Sequence, residues 1–190
     1  MATNIIETVQ KNLGLPPLQK IDPNIQETKD QVPRQSREKL AQAAVPAVLT
    51  ALHKFTRADE SCNVILGGTD NADWLSTIFE GKERVAVDKV AHYAGVTPDE
   101  ARTTMIDISR EGVKIAKKSA GDKPDCESIR NFMNDQRHTI LVYLPAAMQM
   151  GDLLNDEALD DRTNKMEGPL SNLMHAIEGK LSKGDQSKYP

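Results

Sequence analysis

The stretch Val90-Ala91-His92-Tyr93-Ala94-Gly95-Val96-Thr97-Pro98-Asp99-Glu100 decides the class of this fold. It closes one helix and opens another, with no room for a strand between them. Gly95 stands where a helix ends in the left-handed conformation, and Thr97 stands where a hydroxyl caps the next one. Pro98 fits the first helical position, where an N–H would have no partner in any case. Asp99 and Glu100 meet the positive end of the helix dipole, and Glu100 has capping-box spacing from Thr97. Upstream, from about Lys82, Val87, Val90, Ala91 and Ala94 recur at helical spacing. Downstream, to about Lys118, Ala101, Met105, Ile108, Gly112 and Ile115 do the same.

The same periodicity spreads outward in both directions. Asn4 and Glu7 have cap spacing, and Ile5, Ile6, Val9 and Leu13 form a stripe that Gly14 ends. Residues 15–35 hold Pro16, Pro17, Pro23 and Pro33 and read as a connecting arm, with a helical turn where Asp22 caps Pro23. A long helix is predicted from Ser36 to Phe55, with Leu40, Ala44, Val48, Ala51, Leu52 and Phe55 on one face. Its stripe continues in phase across Pro46, which predicts a kink and not an end. The segment 59–71 reads as a loop, from Gly67-Gly68 and Asp70-Asn71, and a short helix follows over Asp73 to Glu80 with Trp74 and Ile78 paired.

Beyond Gly121-Asp122-Lys123-Pro124, a helical stretch is expected to reach about Met150, dividing near Asn134-Asp135. It would bury Ile129, Phe132, Met133, Gln136, Ile140, Tyr143, Leu144 and Ala147. Residues 151–167 read as a polar, acidic loop, and a last helix opens at Gly168-Pro169 with Leu170, Leu173, Met174, Ile177 and Leu181 inward. No strand is expected. The predicted class is all-α, a multihelical bundle of about seven to nine helices. Val45-Pro46-Ala47-Val48-Leu49 matches Leu144-Pro145-Ala146-Ala147-Met148, and Leu75-Ser76-Thr77-Ile78-Phe79 matches Leu170-Ser171-Asn172-Leu173-Met174. These matches suggest two similar halves, 35–95 and 124–181, packed face to face. The domain division is then an N-terminal helix and arm over 1–34, one helical domain over 35–181, and a tail over 182–190.

Composition bounds the function. The 190 residues carry 24 Lys+Arg against 28 Asp+Glu, a net charge of −4 that gives no general attraction to nucleic acid or anionic lipid. Hydrophobic residues make up 38% but aromatics only 4%, so the core must be built from Ala, Leu, Ile, Val and Met. The longest apolar run, Ile140 to Met148, is far below the roughly 20 residues of a membrane span. The first residues lack a basic, apolar secretory signal, position 2 is not glycine, and the Lys-Tyr-Pro end is no prenylation signal. The expected setting is cytoplasmic, with Cys62 and Cys126 as free thiols; a disulfide would require the fold to bring them within roughly 7 Å Cα to Cα.

No catalytic constellation is legible. His53, His92, His138 and His175 have no Cys or His at metal-ligand spacing, so neither metal nor cofactor is expected. Asp152, Asp156, Glu157, Asp160 and Asp161 lack the ligand alternation of a calcium loop, and Gly67-Gly68-Thr69 lacks the lysine of a phosphate loop. Four residues stand out for interaction. Trp74, the single tryptophan, either anchors a partner or pins its own helix to the core. Arg110, Lys114 and Lys117 share a helix face and either solvate it and complement the negative helix C-terminus or belong to a DNA-binding surface.

Two resemblances follow from these residues. Val90-Ala91-His92-Tyr93-Ala94-Gly95-Val96-Thr97 is similar to the helix-turn-helix of lactose-repressor-type transcription factors. This would imply a DNA-binding regulator using the corner at 87–118. The departure is the Pro98-Asp99-Glu100 opening, which sets two carboxylates where phosphates would approach. More broadly, Ala43-Ala44-Val45-Pro46-Ala47-Val48-Leu49, Ala94-Gly95-Val96-Thr97-Pro98-Asp99-Glu100, Leu144-Pro145-Ala146-Ala147 and the Gly-Pro-Leu-Ser stretch from Gly168 resemble the YidB-like family of bacterial helical proteins of unknown function. That resemblance implies a multihelical bundle of bacterial origin and supplies no reaction. The favoured expectation is a non-catalytic protein acting through a protein partner or as a homo-oligomer.

Overall fold

A long helix whose every side is covered sits at the centre of the computed structural model, which describes residues 3–28, 35–70, 72–121 and 123–156. This helix, α2 (Ser36–Phe55), has every residue from Leu40 to His53 buried. The single apolar face expected from Leu40, Ala44, Val48 and Leu52 is therefore only part of its contact surface. Ala41, Ala43, Ala47 and Ala51 fill the other faces, and their small side chains let neighbours approach closely on all sides. The helix passes through Pro46 without ending.

Around α2 stand α1 (Ile5–Leu13), α4 (Trp74–Phe79), α5 (Glu83–Ala94), α6 (Pro98–Ser119), α7 (Cys126–Leu141) and α8 (Met150–Leu154), each touching it. With α3 (Asp59–Gly67), which rests on α6 and α7, the described residues contain eight α-helices and form an all-α multihelical bundle. They lie in one unit, Met1–Asp160. The predicted limits of α1, α2, α5 and α6 hold, and at the starts of α1 and α6 and the end of α5 the reason is local cap chemistry. Asn4 accepts from the Glu7 amide, Thr97 accepts from the Glu100 amide at 3.2 Å, and Gly95 takes φ 67°. A reciprocal capping box lies at α7, where Asp125 accepts from the Ser128 amide and Ser128 Oγ from the Asp125 amide. The Ser128 amide and then the Ser128 hydroxyl, which donates to Asp125 Oδ1 at 2.7 Å, hold the Asp125 carboxyl below its ordinary value.

Several expectations are corrected. The segment expected as a loop over 59–71 contains α3, because Cys62 and Ile65 sit one turn apart and bury together while Asp59 and Glu60 suit the first turn. The absence of strands fails at one place: Ile21–Asp22 (β1) pairs antiparallel with Glu27–Thr28 (β2), in register Ile21↔Thr28. The turn foreseen at Asp22-Pro23 closes this hairpin, with Asp22 Oδ1 accepting from the Asn24 amide. The helix expected to run to Met150 stops at Leu141, undivided at Asn134-Asp135. Pro145 has no amide for the Leu141 carbonyl, which the Leu144 amide takes at 3.1 Å in a tightened turn. A 3₁₀ turn (Ala146–Met148) and α8 follow, so the start of the expected polar loop instead buries Gly151, Leu153 and Leu154. Pro46 and Pro145 thus occupy unlike structures. Of the second half of the suggested repeat, residues 157–181 lie outside the described residues, as do the helix from Gly168 and the tail from 182.

The free-thiol expectation is also corrected. Cys62 and Cys126, 64 residues apart, meet with their Cα atoms 5.6 Å from each other and form a disulfide between α3 and α7. The fold supplies the proximity that spacing alone could not show.

The N-terminal arm is held by polar pins. Gln136 Oε1 accepts from the Ile5 amide at 3.0 Å, capping α1 from across the bundle. Gln42, 1% exposed, accepts from the Gln19 amide and donates to the carbonyls of Gln19 and Tyr143, all within 2.8–2.9 Å. The Ile21 amide donates to the Val142 carbonyl beside it. Replacing Gln42 by Leu leaves three backbone groups short of partners and should lower unfolding free energy by roughly 3 kcal/mol in urea titrations. Gly68 presents a second strict position, since a Cβ there would overlap the Trp74 ring. Gly68→Ala should cost about 1–3 kcal/mol by overpacking. Displacement of the single tryptophan should red-shift its fluorescence; unchanged emission and stability would contradict this packing.

Candidate functional site

The outer face of α5 provides an open concavity. Its inward stripe, Ala86, Val87, Val90, Ala91 and Ala94, faces the core. This leaves Val85, Asp88, Lys89 and His92 on the opposite side, where they meet Ala147 and Met148 of the 3₁₀ turn. With the edge of Tyr93 they line a cleft of about 360 Å³. Val85 is 49% exposed, one of the few large apolar side chains so open among the described residues, while Met148, which also lines the cleft, is 1% exposed. The floor is therefore apolar, and Asp88, Lys89 and His92 contribute polar and charged groups to its lining.

The walls are tied in place. Lys89 Nζ donates to Gln149 Oε1 at 2.7 Å, joining α5 to the end of the 3₁₀ turn, where Gln149 takes a left-handed φ of 47°. The Tyr93 hydroxyl donates to Glu27 Oε1 at 2.6 Å, fastening the hairpin to the same helix. Such a cleft can accept an apolar side chain and pair its neighbours with charges of either sign. Helical periodicity does not mark these residues, because it tracks the inward stripe. The available signal was Val85, an apolar residue out of phase with Val87, Val90 and Ala94.

The four residues singled out from sequence occupy different surroundings. Trp74 is 2% exposed, and its indole N–H donates to the Thr69 carbonyl at 3.1 Å, so the ring belongs to the core. Lys117 Nζ reaches the carbonyls of Leu66 and Gly68 at 3.3 and 3.1 Å, at the C-terminal end of α3. Lys114 Nζ lies 3.6 Å from Glu111 Oε2, and Arg110 is exposed on the same helix. Two of these three cations thus already have partners, and the helix they share opens on Asp99 and Glu100. The face offers a duplex little concentrated positive charge. Among the described residues no three His, Cys, Asp or Glu side chains converge as metal ligands.

A second, narrower feature is a crevice between α2 and α7 lined by Thr50, His53, Arg137, Ile140 and Leu141. His53 is 4% exposed and its Nε2 lies 3.1 Å from Asn134 Oδ1. With Nε2 donating there, the neutral ring keeps Nδ1 bare; neither Nδ1 nor the buried Thr50 Oγ1 has a hydrogen-bond partner among the described residues. Burial is the main cause holding the imidazole below its ordinary 6.5; the Asn134 bond opposes this, Arg57 and Arg137 reinforce it, and Asp156 opposes it. Arg57 itself pairs with Asp156.

A depressed histidine favours the neutral ring in the folded chain, so its contribution to stability is complete above about 6.5 and declines as pH falls through that value toward the lower folded pKa. Urea midpoints measured from pH 7.5 down to about 5 should therefore fall, and His53→Gln should flatten this part of the profile. An identical slope in the variant would exclude His53 as its source. No protein-family model, curated protein or solved structure matches the chain, so the α5 cleft and the His53 crevice are read from their own residues.

Proposed function

We propose that the protein is a non-catalytic helical bundle that acts through protein contacts, with the α5 cleft receiving an apolar side chain from an amphipathic helix of a partner or of a second copy. The observation that carries this reading is Val85, half exposed beside the buried Met148 in an open cleft lined also by Asp88, Lys89 and His92. An apolar floor with charged neighbours suits helix docking, in which a few anchor side chains enter pockets and charges set the register. No helix among the described residues is long and apolar enough to cross a membrane. The setting proposed from sequence is a bacterial cytoplasm. Thiol pools there keep cysteines reduced, so a cytosolic protein would carry the Cys62–Cys126 bond as a transient, reversible one.

Light scattering over a concentration series, combined with a photo-crosslinker placed at position 85, tests the reading. Wild type should gain mass with concentration or crosslink through position 85 to a defined protein helix. Val85→Glu should weaken either association by about tenfold or more while leaving the far-ultraviolet helical signal intact. A strict monomer that crosslinks to nothing at this position would overturn it, and binding to a DNA duplex at low salt would favour the regulator reading instead.

A further inference from the structure

The attachment of α3 is unusual for this bundle. Its buried residues are only Cys62 and Ile65, and its N-cap, Ala58, makes no side-chain hydrogen bond. Val64 is 50% exposed on its outer side. Beyond these, Leu66 packs part-buried against the core, Asp59, with its side chain 81% exposed, pairs with Arg130, and Lys117 reaches the Leu66 and Gly68 carbonyls. The covalent bond to Cys126 is therefore the strongest constraint on where this helix rests.

The two sulfurs differ in access. Cys62 is fully buried, whereas Cys126, the first residue of α7, is partly exposed. Burial closes Cys62 to an incoming thiolate, which leaves the partly exposed Cys126 as the side of approach. The Asn63 side-chain oxygen lies 3.5 Å and the Asp59 carbonyl 3.9 Å from Cys126 Sγ. In the disulfide that sulfur has no proton to give; as a thiol it can donate to either oxygen, so an acceptor for the reduced form is already in place.

We infer that Cys62–Cys126 is a reversible thiol–disulfide exchange site, opened by a small dithiol at Cys126 Sγ, and that opening it releases α3 from α6 and α7. The reductant loses a proton and its thiolate attacks Cys126 Sγ. The protein S–S bond breaks, a mixed disulfide forms on Cys126, and the Cys62 sulfur leaves with the electron pair and takes up a proton. The second thiolate of the reductant attacks its own sulfur in the mixed disulfide, closing a cyclic disulfide and releasing Cys126, which is protonated in turn. Two electrons pass from the dithiol to the protein. In the reverse direction the Cys126 thiolate attacks a small disulfide such as oxidised glutathione, and Cys62 displaces the bound thiol to restore the bond.

The full chain, prepared oxidised, is compared with and without dithiothreitol by hydrogen exchange read at peptide level. Amides of 59–67 should exchange about tenfold faster or more after reduction, with α2, α5 and α6 unchanged. Limiting reduced glutathione, quenched in acid, should leave its adduct on Cys126, and oxidised glutathione should restore both the bond and the slow exchange. The double variant Cys62→Ser, Cys126→Ser should match the reduced protein and ignore reductant. Unchanged exchange over 59–67, an adduct on Cys62, loss of protection throughout the bundle, or failure of oxidised glutathione to re-form the bond would each overturn the inference.

Discussion

Enclosure of α2 is the constraint on which the other elements depend. Six helices contact this one rod, and its residues from Leu40 to His53 have no face left for solvent. A helix so placed cannot be stabilised by an ordinary amphipathic stripe; it needs apolar or small groups all round. The run Ala41-Gln42-Ala43-Ala44-Val45-Pro46-Ala47-Val48-Leu49-Thr50-Ala51-Leu52 supplies them. Alanines admit close neighbours, while Val and Leu fill the gaps left between. The proline is tolerated in the same setting because packing on every side opposes the local tendency to break the helix.

The polar exceptions within α2 are where the remaining organisation is decided. Gln42 gathers the arm and the turn after α7 onto the central helix through three hydrogen bonds. Buried amides of this kind specify position more than they add net energy, since each replaces a bond to water. Gln136 does the same for the first turn of α1. Thr50 and His53, one turn apart, lack such completion, with Thr50 Oγ1 and His53 Nδ1 both without a partner among the described residues. The centre is thus paired toward the arm, whereas toward α7 His53 pairs through Nε2 with Asn134 alone among the described residues.

Helix type and limits were legible where the signal is local. Asn4, Gly14, Gly95, Thr97 and Pro98 act on backbone groups within a turn of themselves, so their roles follow from the order of residues. What could not be read depends on partners far along the chain. α3 resembles a loop in isolation because its only buried side chains are Cys62 and Ile65, and half the reason for its helix is Cys126, a distant residue. The two prolines carry similar neighbours yet meet different fates, because Val45 and Ala47 are enclosed whereas Ala146 and Ala147 are exposed. The cleft shares this dependence: Val85 on α5 acquires its meaning only when Met148 is brought into the same cleft.

An encircled rod also divides the molecule by how freely it can drift over generations. Positions along α2 touch several neighbours at once, so an exchange there demands compensating changes in more than one surrounding helix. The outward residues of α5 carry no such obligation, and Val85, Asp88 and His92 can be reshuffled while the scaffold stands. The buried axle is thereby the part least able to change, and the outward rim of α5 the part most able to.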